Sequence, residues 1–305
     1  MKKTFYSNGK LLITGEYLVL DGAKAFALPT KFGQNLIIES GINQEISWKS
    51  YDSNGSIWFE ETISFLEISS SQIPESESVK TTLIEILHQA FLLNPDFLNN
   101  TNGYTISTQL TFPRKWGLGT SSTLINNIAQ WLQIDAFVLL NNSFGGSGYD
   151  IACAQNDFPI LYHLVNGKPI VEKVSFNPAF SQNIYFVYLN KKQSSKTSIA
   201  RYQTNKAFKR EKTIDEINKV TQTILNATNL DTFAEAITAH EALMSHVLET
   251  STVQETLFSD FDGAIKSLGA WGGDFVMAVS KEDPTAYFKS KGYETILTYD
   301  EMILS

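Results

Sequence analysis

One stretch near the middle of the chain limits the fold more than any other. Residues Gly103 to Leu110 alternate apolar and polar like a half-buried strand, the glycine-rich FPRKWGLGTSST follows, and the pattern then predicts a helix over Leu124 to Leu132. A strand that enters a helix through glycines is an arrangement that holds anions. Glycine allows positive φ and close approach of the backbone, and the N–H groups at the helix start, aided by the dipole, favour a phosphate. Ser121 or Ser122 would offer a hydroxyl oxygen to Mg²⁺, a hard ion that accompanies nucleotide phosphates. A plain helix N-cap after a turn fits the same string, since Ser and Thr are common caps. The chain lacks GxxxxGK[ST], so the loop is not of Walker type.

The rest of the chain is long and apolar enough to surround such a loop with a core. Its 305 residues are 43% hydrophobic and 18% charged, which excludes a disordered or fibrous protein and suggests two domains meeting near Asn177 to Ser181. A net charge of -8 argues against broad binding to nucleic acid. The single cysteine, Cys153, allows no internal disulfide and fits a reducing cytoplasm. MKKTFYSNGK is not a signal-peptide core, and no apolar run approaches the ~20 residues of a membrane span, so neither export nor membrane insertion is expected.

LLITGEYLVL, NLIIE, EISWKSY, SIWFEE and ISFLEIS read as strands of an antiparallel sheet. Ser69 to Ser78 reads as a surface loop and Val79 to Leu93 as a core helix, with another helix over Asp135 to Asn141. PILYHLV and PIVEKVSF form paired strands about Asn166-Gly167. After a strand over Asn183 to Leu189 the spacing predicts helices over Ser198 to Arg210, Thr213 to Thr228, Asp231 to Leu248 and Val253 to Ser267. A short helix near Pro284 to Lys289 and a strand over Tyr293 to Leu297 end the series.

Two more glycine clusters carry candidate chemistry. GGSGYDIA, Gly145 to Ala152, presents Asp150, a carboxylate able to accept a proton from a substrate hydroxyl; a simple turn into a helix fits it too. KSLGAWGGDF, Lys266 to Phe275, reads as a glycine turn between a helix and a strand, equally a C-cap followed by a hairpin. Lys10 stands at the head of a strand, where an ammonium would neutralise a transferring phosphoryl group, although most lysines are simply solvated. His240, Glu241 and His246 share a helix without HExxH spacing and do not suggest a metal site. Cys153 reads as a small buried residue, and Tyr185, Phe186 and Tyr188 as core and sheet-surface aromatics.

The order GKLLITGEYLVLDG, KWGLGTSS, GSGYDIA and GAWGGDF resembles the GHMP kinase superfamily, which phosphorylates galactose, homoserine, mevalonate and phosphomevalonate. GEYLVLDG, the start of Lys115-Trp116-Gly117, the GSGxD[VI]A form and the closing GGD look most like phosphomevalonate kinases, then mevalonate kinases. The resemblance implies an α+β, two-domain fold: an N-terminal mixed α/β domain with the phosphate loop over residues 1–178, and a ferredoxin-like C-terminal domain over residues 179–305. It implies ATP and Mg²⁺ as cofactors and a small acidic substrate, most like phosphomevalonate.

Carried over residue by residue, Lys10 and Asp150 take the catalytic positions. Lys115, Gly117, Leu118, Gly119, Thr120, Ser121 and Ser122 form the ATP-phosphate loop, with Ser121 as the Mg²⁺ ligand, and Gly269, Gly272 and Gly273 support it. Ser147, Gly148 and Lys196, the last within KKQSSKTS, fall on substrate-binding positions. The sequence departs from the family pattern at Asn8 for a proline, at Trp271 for the central glycine of the third motif, and at GLGTSS for GLGSS. No acidic residue stands at the usual offset before Asp150 to serve as a second Mg²⁺ ligand. A mevalonate diphosphate decarboxylase and a non-catalytic nucleotide-binding protein are the alternatives within this frame.

Overall fold

The computed structural model describes residues 2–70, 78–192, 199, 202–203, 210–269 and 271–304. The first elements are β1 (Lys3–Thr14), β2 (Ala25–Ser40), β3 (Glu45–Tyr51), β4 (Ile57–Ser64), α1 (Phe65–Ser69), α2 (Val79–Leu93), α3 (Asp96–Asn99) and β5 (Tyr104–Leu110). There follow α4 (Thr120–Leu132), α5 (Ala136–Ser143), α6 (Tyr149–Ala154), β6 (Ile160–Val165), β7 (Lys168–Lys173) and β8 (Ile184–Tyr188). The described chain ends with α7 (Arg210–Asn226), α8 (Leu230–Leu248), α9 (Val253–Leu257), β9 (Ala264–Ser267), β10 (Phe275–Val279), α10 (Thr285–Ser290), β11 (Ile296–Thr298) and α11 (Tyr299–Met302).

Two compact units emerge, interleaved along the sequence. The first takes residues 1–9, 32–114 and 118–155, the second residues 10–31, 115–117 and 156–305. The interleaving arises because β1 and β2 run through both units.

In the first unit the strand order is β4-β3-β5-β2. β3 and β5 are parallel and the other neighbours antiparallel, so the chain between β3 and β5 must cross over, and β4 and α1 to α3 lie in that connection. β3 buries every second residue, and its Ile46 and Trp48 join Leu36, Ile38 and Ile106 in a core closed by Leu83, Ile84 and Leu87 of α2 and Ile125, Ile128 and Ala129 of α4. α5 begins at Asp135, whose carboxylate accepts the amides of Phe137 and Val138 at 2.8 and 3.2 Å. Such a cap contributes ~1 kcal/mol, so Asp135→Ala should lower the melting temperature by roughly 2–4 °C in a thermal scan; an unchanged midpoint would show the cap to be idle.

In the second unit β8 to β11 form a four-stranded antiparallel sheet of order β11-β8-β10-β9. α7, α8 and α9 fall between β8 and β9 and α10 between β10 and β11, which is the βαββαβ plan of a ferredoxin-like domain. Val187, Ile265, Val276, Ala278, Phe258 and Phe288 make its core. β6 pairs with Ala25–Ala27 of β2 and with β7, and the β6–β7 turn is Asn166-Gly167, both at positive φ as a two-residue hairpin turn requires. Among the described residues no helix is long and apolar enough to cross a membrane.

Four local readings change. LLITGEYLVL is not one strand: β1 ends at Thr14, and Gly15 turns at φ +85 against the Lys24 carbonyl before a 3-10 turn over Leu18–Asp21. ISFLEIS bends into α1 because Ser64 and Glu67 form a reciprocal capping box. Val253 to Ser267 is not one helix: α9 stops at Leu257, and Ala264 to Ser267 are all buried as β9. A short strand covered on both faces carries no alternation, so periodicity cannot distinguish it from buried helix. The third glycine motif therefore joins two strands rather than a helix to a strand. The helix expected over Ser198 to Arg210 and the loop over Ser69 to Ser78 fall largely outside the described residues, as does Lys196.

Candidate functional site

In the second unit, residues far apart in sequence surround one hollow of about 10 Å³, roughly enough for a single water. Lys10, Leu11 and Leu12 of β1, Trp116 and Gly117 at the head of the glycine loop, Leu268 and Gly269 after β9, and Asp274 and Phe275 entering β10 line it. Lys10 is 9% exposed, its aliphatic stem covered along a strand that is buried from Ser7 to Thr14. Trp116 lies edge-on to Phe275 with ring centroids 5.3 Å apart, and the Tyr188 hydroxyl donates to the Lys115 carbonyl at 3.1 Å. These contacts seat the loop head on the sheet.

Gly117 stands at φ +72 directly over the Asp274 carboxyl group. A Cβ there would overlap that group, with even the farther oxygen only 2.8 Å away, so position 117 needs glycine for space as well as for its dihedral. Asp274, 8% exposed, is itself held at φ +52, while its amide donates to the Lys191 carbonyl at 2.7 Å and its carbonyl accepts the Leu189 amide at 2.8 Å. A non-glycine residue kept at positive φ by backbone pairing on both sides is a sign of a position fixed by its surroundings.

The remainder of the loop lies in the first unit. α4 starts from Gly119 at φ +99, and no side chain caps it. The Ser122 hydroxyl donates to the Gly119 carbonyl at 2.9 Å, and the Thr123 hydroxyl is within 3.0 Å of the Gly119 and Thr120 carbonyls and 2.7 Å of Gln34 Oε1. The hydroxyls are thus engaged with carbonyls, and no side-chain oxygen occupies the first amides, where an anion would bind. Ser121 is exposed and Ser122 is buried. Gly148 at φ +92 likewise opens α6 without a side-chain cap, placing Asp150 in its first turn beside the half-buried Ser147. α6 is tied to α4 through Asn126, whose amide reaches the Ala154 carbonyl at 3.4 Å and whose carbonyl accepts from Gln155 at 3.1 Å.

Of the residues named from sequence, Lys10, Gly117 and Gly269 come together around the hollow; Gly119 to Ser122 and Asp150 belong to the first unit. Gly269 and Gly272 take φ +71 and +82, and Gly273 is buried. Trp271 packs against Tyr17, Leu18, Met244 and Val247, and its amide donates to the Tyr17 hydroxyl at 3.3 Å. Cys153 and Phe186 are fully buried. Among the described residues no three His, Cys, Asp or Glu side chains cluster so as to hold a metal. Ser121 carries an exposed hydroxyl in the first turn of α4, whose start no side chain caps.

Five buried polar residues of the second unit form a cluster that the sequence reading did not assemble, although it weighed His240 and Glu241 as metal ligands and set them aside. Lys266, completely inaccessible, donates to Glu16 Oε1 at 2.5 Å, Glu241 Oε1 at 3.0 Å and the Ser267 carbonyl at 2.7 Å. Ser267 Oγ donates to Glu241 Oε2 at 3.0 Å, and His240 Nε2 lies 3.3 Å from both the Gly15 amide and Glu16 Oε2. A signal was present: on α8 the buried residues Phe233, Ala236, Ile237, Met244 and Val247 trace one stripe, and His240 and Glu241 lie on it.

No protein-family model matches the sequence, and no curated protein does. Solved structures do match. The mevalonate kinase of Methanococcus jannaschii superposes with a TM-score of 0.73 at 16% identity, covering 100% of this chain and 99% of that one. The chain has the GHMP kinase fold. Streptococcus pneumoniae phosphomevalonate kinase, in complex with phosphomevalonate and AMPPNP, shares this fold at TM-score 0.72 and 15% identity, covering 97% of this chain and 99% of that one. Lactococcus lactis galactokinase with galactose follows at 0.69 and 15%, covering 95% and 88%. The ferredoxin-like sheet is the C-terminal part expected of that fold, and the hollow is lined by residues of GKLLITGEYLVLDG, KWGLGTSS and KSLGAWGGDF.

Proposed function

We propose that the chain is a phosphotransferase that moves the γ-phosphoryl group of MgATP to an oxygen of a small acidic intermediate of the mevalonate pathway, phosphomevalonate first and mevalonate second. The observation that most supports this reading is the hollow at which Lys10, Gly117 and Gly269 meet, three residues that the family resemblance assigns to the same phosphate chemistry from distant parts of the sequence. The Streptococcus pneumoniae protein of the same fold, solved with phosphomevalonate and AMPPNP, supports the choice of ligands. On this reading the family's two domains cover residues 1–178 and 179–305, and the protein works in the cytoplasm.

The roles follow from charge and backbone. Lys115 and the amides of Gly117, Leu118, Gly119, Thr120, Ser121 and Ser122 cradle the ATP phosphates, and the glycines at 269, 272 and 273 give the third turn the shape to support that loop. Lys10 offsets negative charge on the phosphoryl group in flight. Asp150 accepts the acceptor's hydroxyl proton as the new O–P bond forms and the bond from phosphorus to the β–γ bridging oxygen breaks, releasing ADP. Ser147, Gly148 and Lys196 bind the acceptor. Mg²⁺, held partly by Ser121, supplies neutralisation of phosphate charge when bound. A coupled ADP-release assay with mevalonate, phosphomevalonate, mevalonate diphosphate, homoserine and galactose tests the reading. Acceptor-dependent ADP release with phosphomevalonate or mevalonate, abolished by EDTA and restored by excess Mg²⁺, is expected; ATP binding without turnover on any acceptor would refute it.

A further inference from the structure

The first glycine turn in the chain, at Gly15–Tyr17, and the turn of the third glycine motif, after β9, are bound to each other by two polar contacts, one deep and one nearer the surface. The deep one is the Lys266 ammonium. Its three N–H donors are all spent, on Glu16 of the first turn, on Glu241 of α8 and on the Ser267 carbonyl of its own strand, with no solvent access. The other is the Trp271 amide on the Tyr17 hydroxyl. Tyr17 follows Glu16 directly and is held at φ +60, a conformation that a tyrosine keeps only when its neighbours impose it. Leu268 and Gly269, which line the hollow with Lys10, follow Ser267 directly.

We infer that Lys266 is a positioning residue, whose buried ammonium holds the Gly15–Tyr17 turn against the strand that delivers Leu268 and Gly269 and so fixes the third glycine turn around the hollow. The inference rests on the phosphotransferase reading for its turnover readout alone.

Two carboxylates around one ammonium leave the cluster one negative charge in excess, and the geometry shows where a proton fits. His240 Nε2 accepts the Gly15 amide with its one lone pair, and Glu16 Oε2, 3.3 Å from that nitrogen, is buried with no hydrogen-bond partner among the described residues, so it is the oxygen of the cluster on which a proton relieves the excess charge. Burial pushes the Glu16 carboxyl from its ordinary 4.5 up to about 7, against the pull of Lys266. Burial pulls the Lys266 ammonium down, but the two carboxylates outweigh it and hold it above its ordinary value. Burial, then Lys266, keeps His240 well below its ordinary value and therefore neutral. From β9 the group facing Glu16 is Lys266, and from α8 they are Glu241 and His240. On the α7 side the neighbouring contacts are neutral, Thr221 on Thr14 and Asn218 on the Lys24 amide.

A carboxyl raised by folding adds stability at low pH and loses it as pH rises through the folded value. The melting temperature of the wild type relative to Glu16→Gln should therefore fall between about pH 5 and about pH 8. The test compares the full-length wild type with Lys266→Met, Glu16→Gln and the double variant, by hydrogen exchange of peptides spanning residues 264–275 and by steady-state turnover. Lys266→Met strands two buried carboxylates, and should raise exchange in that segment at least tenfold and lower kcat at least tenfold, with KM for ATP within about threefold. Removing the Glu16 charge should relieve this, so the double variant should recover at least half of the lost protection and lie nearer the wild type than Lys266→Met alone. Should Lys266→Met fail to fold, the pH dependence of Glu16→Gln and the folding of the double variant decide. Unchanged exchange and kcat in a folded Lys266→Met, strictly additive losses, or a wild-type minus Glu16→Gln difference that does not vary with pH would overturn the inference. If the wild type turns over no acceptor while the exchange results appear as expected, the clamp stands and the phosphotransferase reading falls.

Discussion

Asp150→Asn lowers kcat by at least ~10²-fold while leaving the fold and the affinity for ATP near those of the wild type. The amide is isosteric and retains hydrogen bonding, but it cannot take the proton that the acceptor oxygen must release, and a general base typically contributes 10²–10⁴-fold. The fold should hold because Asn keeps the size and shape of Asp, and because α6 is anchored by Gly148, by the buried Ile151, Ala152, Cys153 and Ala154, and by the Asn126 bridges. Steady-state kinetics with ATP and acceptor varied separately, alongside circular dichroism, measure both halves of this outcome. Turnover within a few fold of the wild type would remove Asp150 from the role of base.

Gly117→Ala should be the most damaging single methyl in the loop. The dihedral, φ +72, costs an L-residue roughly 1–2 kcal/mol, and the added carbon overlaps the Asp274 carboxyl. Asp274 has little room to yield, since its backbone is paired on both sides and it is almost buried. The loop head must shift, and a shift worth 1.4 kcal/mol is a tenfold loss in affinity, so nucleotide binding measured by calorimetry should weaken at least ~10-fold. Gly145→Ala provides the contrast: its φ is +75, but nothing lies within 4 Å of an added Cβ, so only the dihedral cost remains. Equal losses in the two variants would show that the Asp274 contact carries no weight.

Which features the sequence disclosed follows from how local each one is. α2 runs over Val79 to Leu93 as its periodicity indicates, and the Asn166-Gly167 hairpin follows from two residues suited to positive φ. The ferredoxin-like plan of the second unit came from the family resemblance and not from the succession of elements, because β9 was hidden in a run read as helix: four residues buried on both faces show no period. The glycine turns were visible because glycine is required where φ is positive and space is lacking, as at Gly15 and Gly117. The Lys266 cluster was not visible, since Glu16 and Lys266 are 250 positions apart and only tertiary structure pairs them. The uncapped start of α4 was equally hidden: the four hydroxyl residues of TSST read as a cap, yet Ser122 and Thr123 bond carbonyls instead.

The most direct measurement is ³¹P NMR of the purified protein with ATP, Mg²⁺ and phosphomevalonate, followed as the γ-phosphorus signal decays. The account predicts that signal replaced by those of ADP and of a diphosphate ester on the acceptor, with no inorganic phosphate formed in step. A γ-phosphorus signal that persists, or that turns quantitatively into inorganic phosphate with no phosphorylated acceptor for phosphomevalonate or mevalonate, would contradict it.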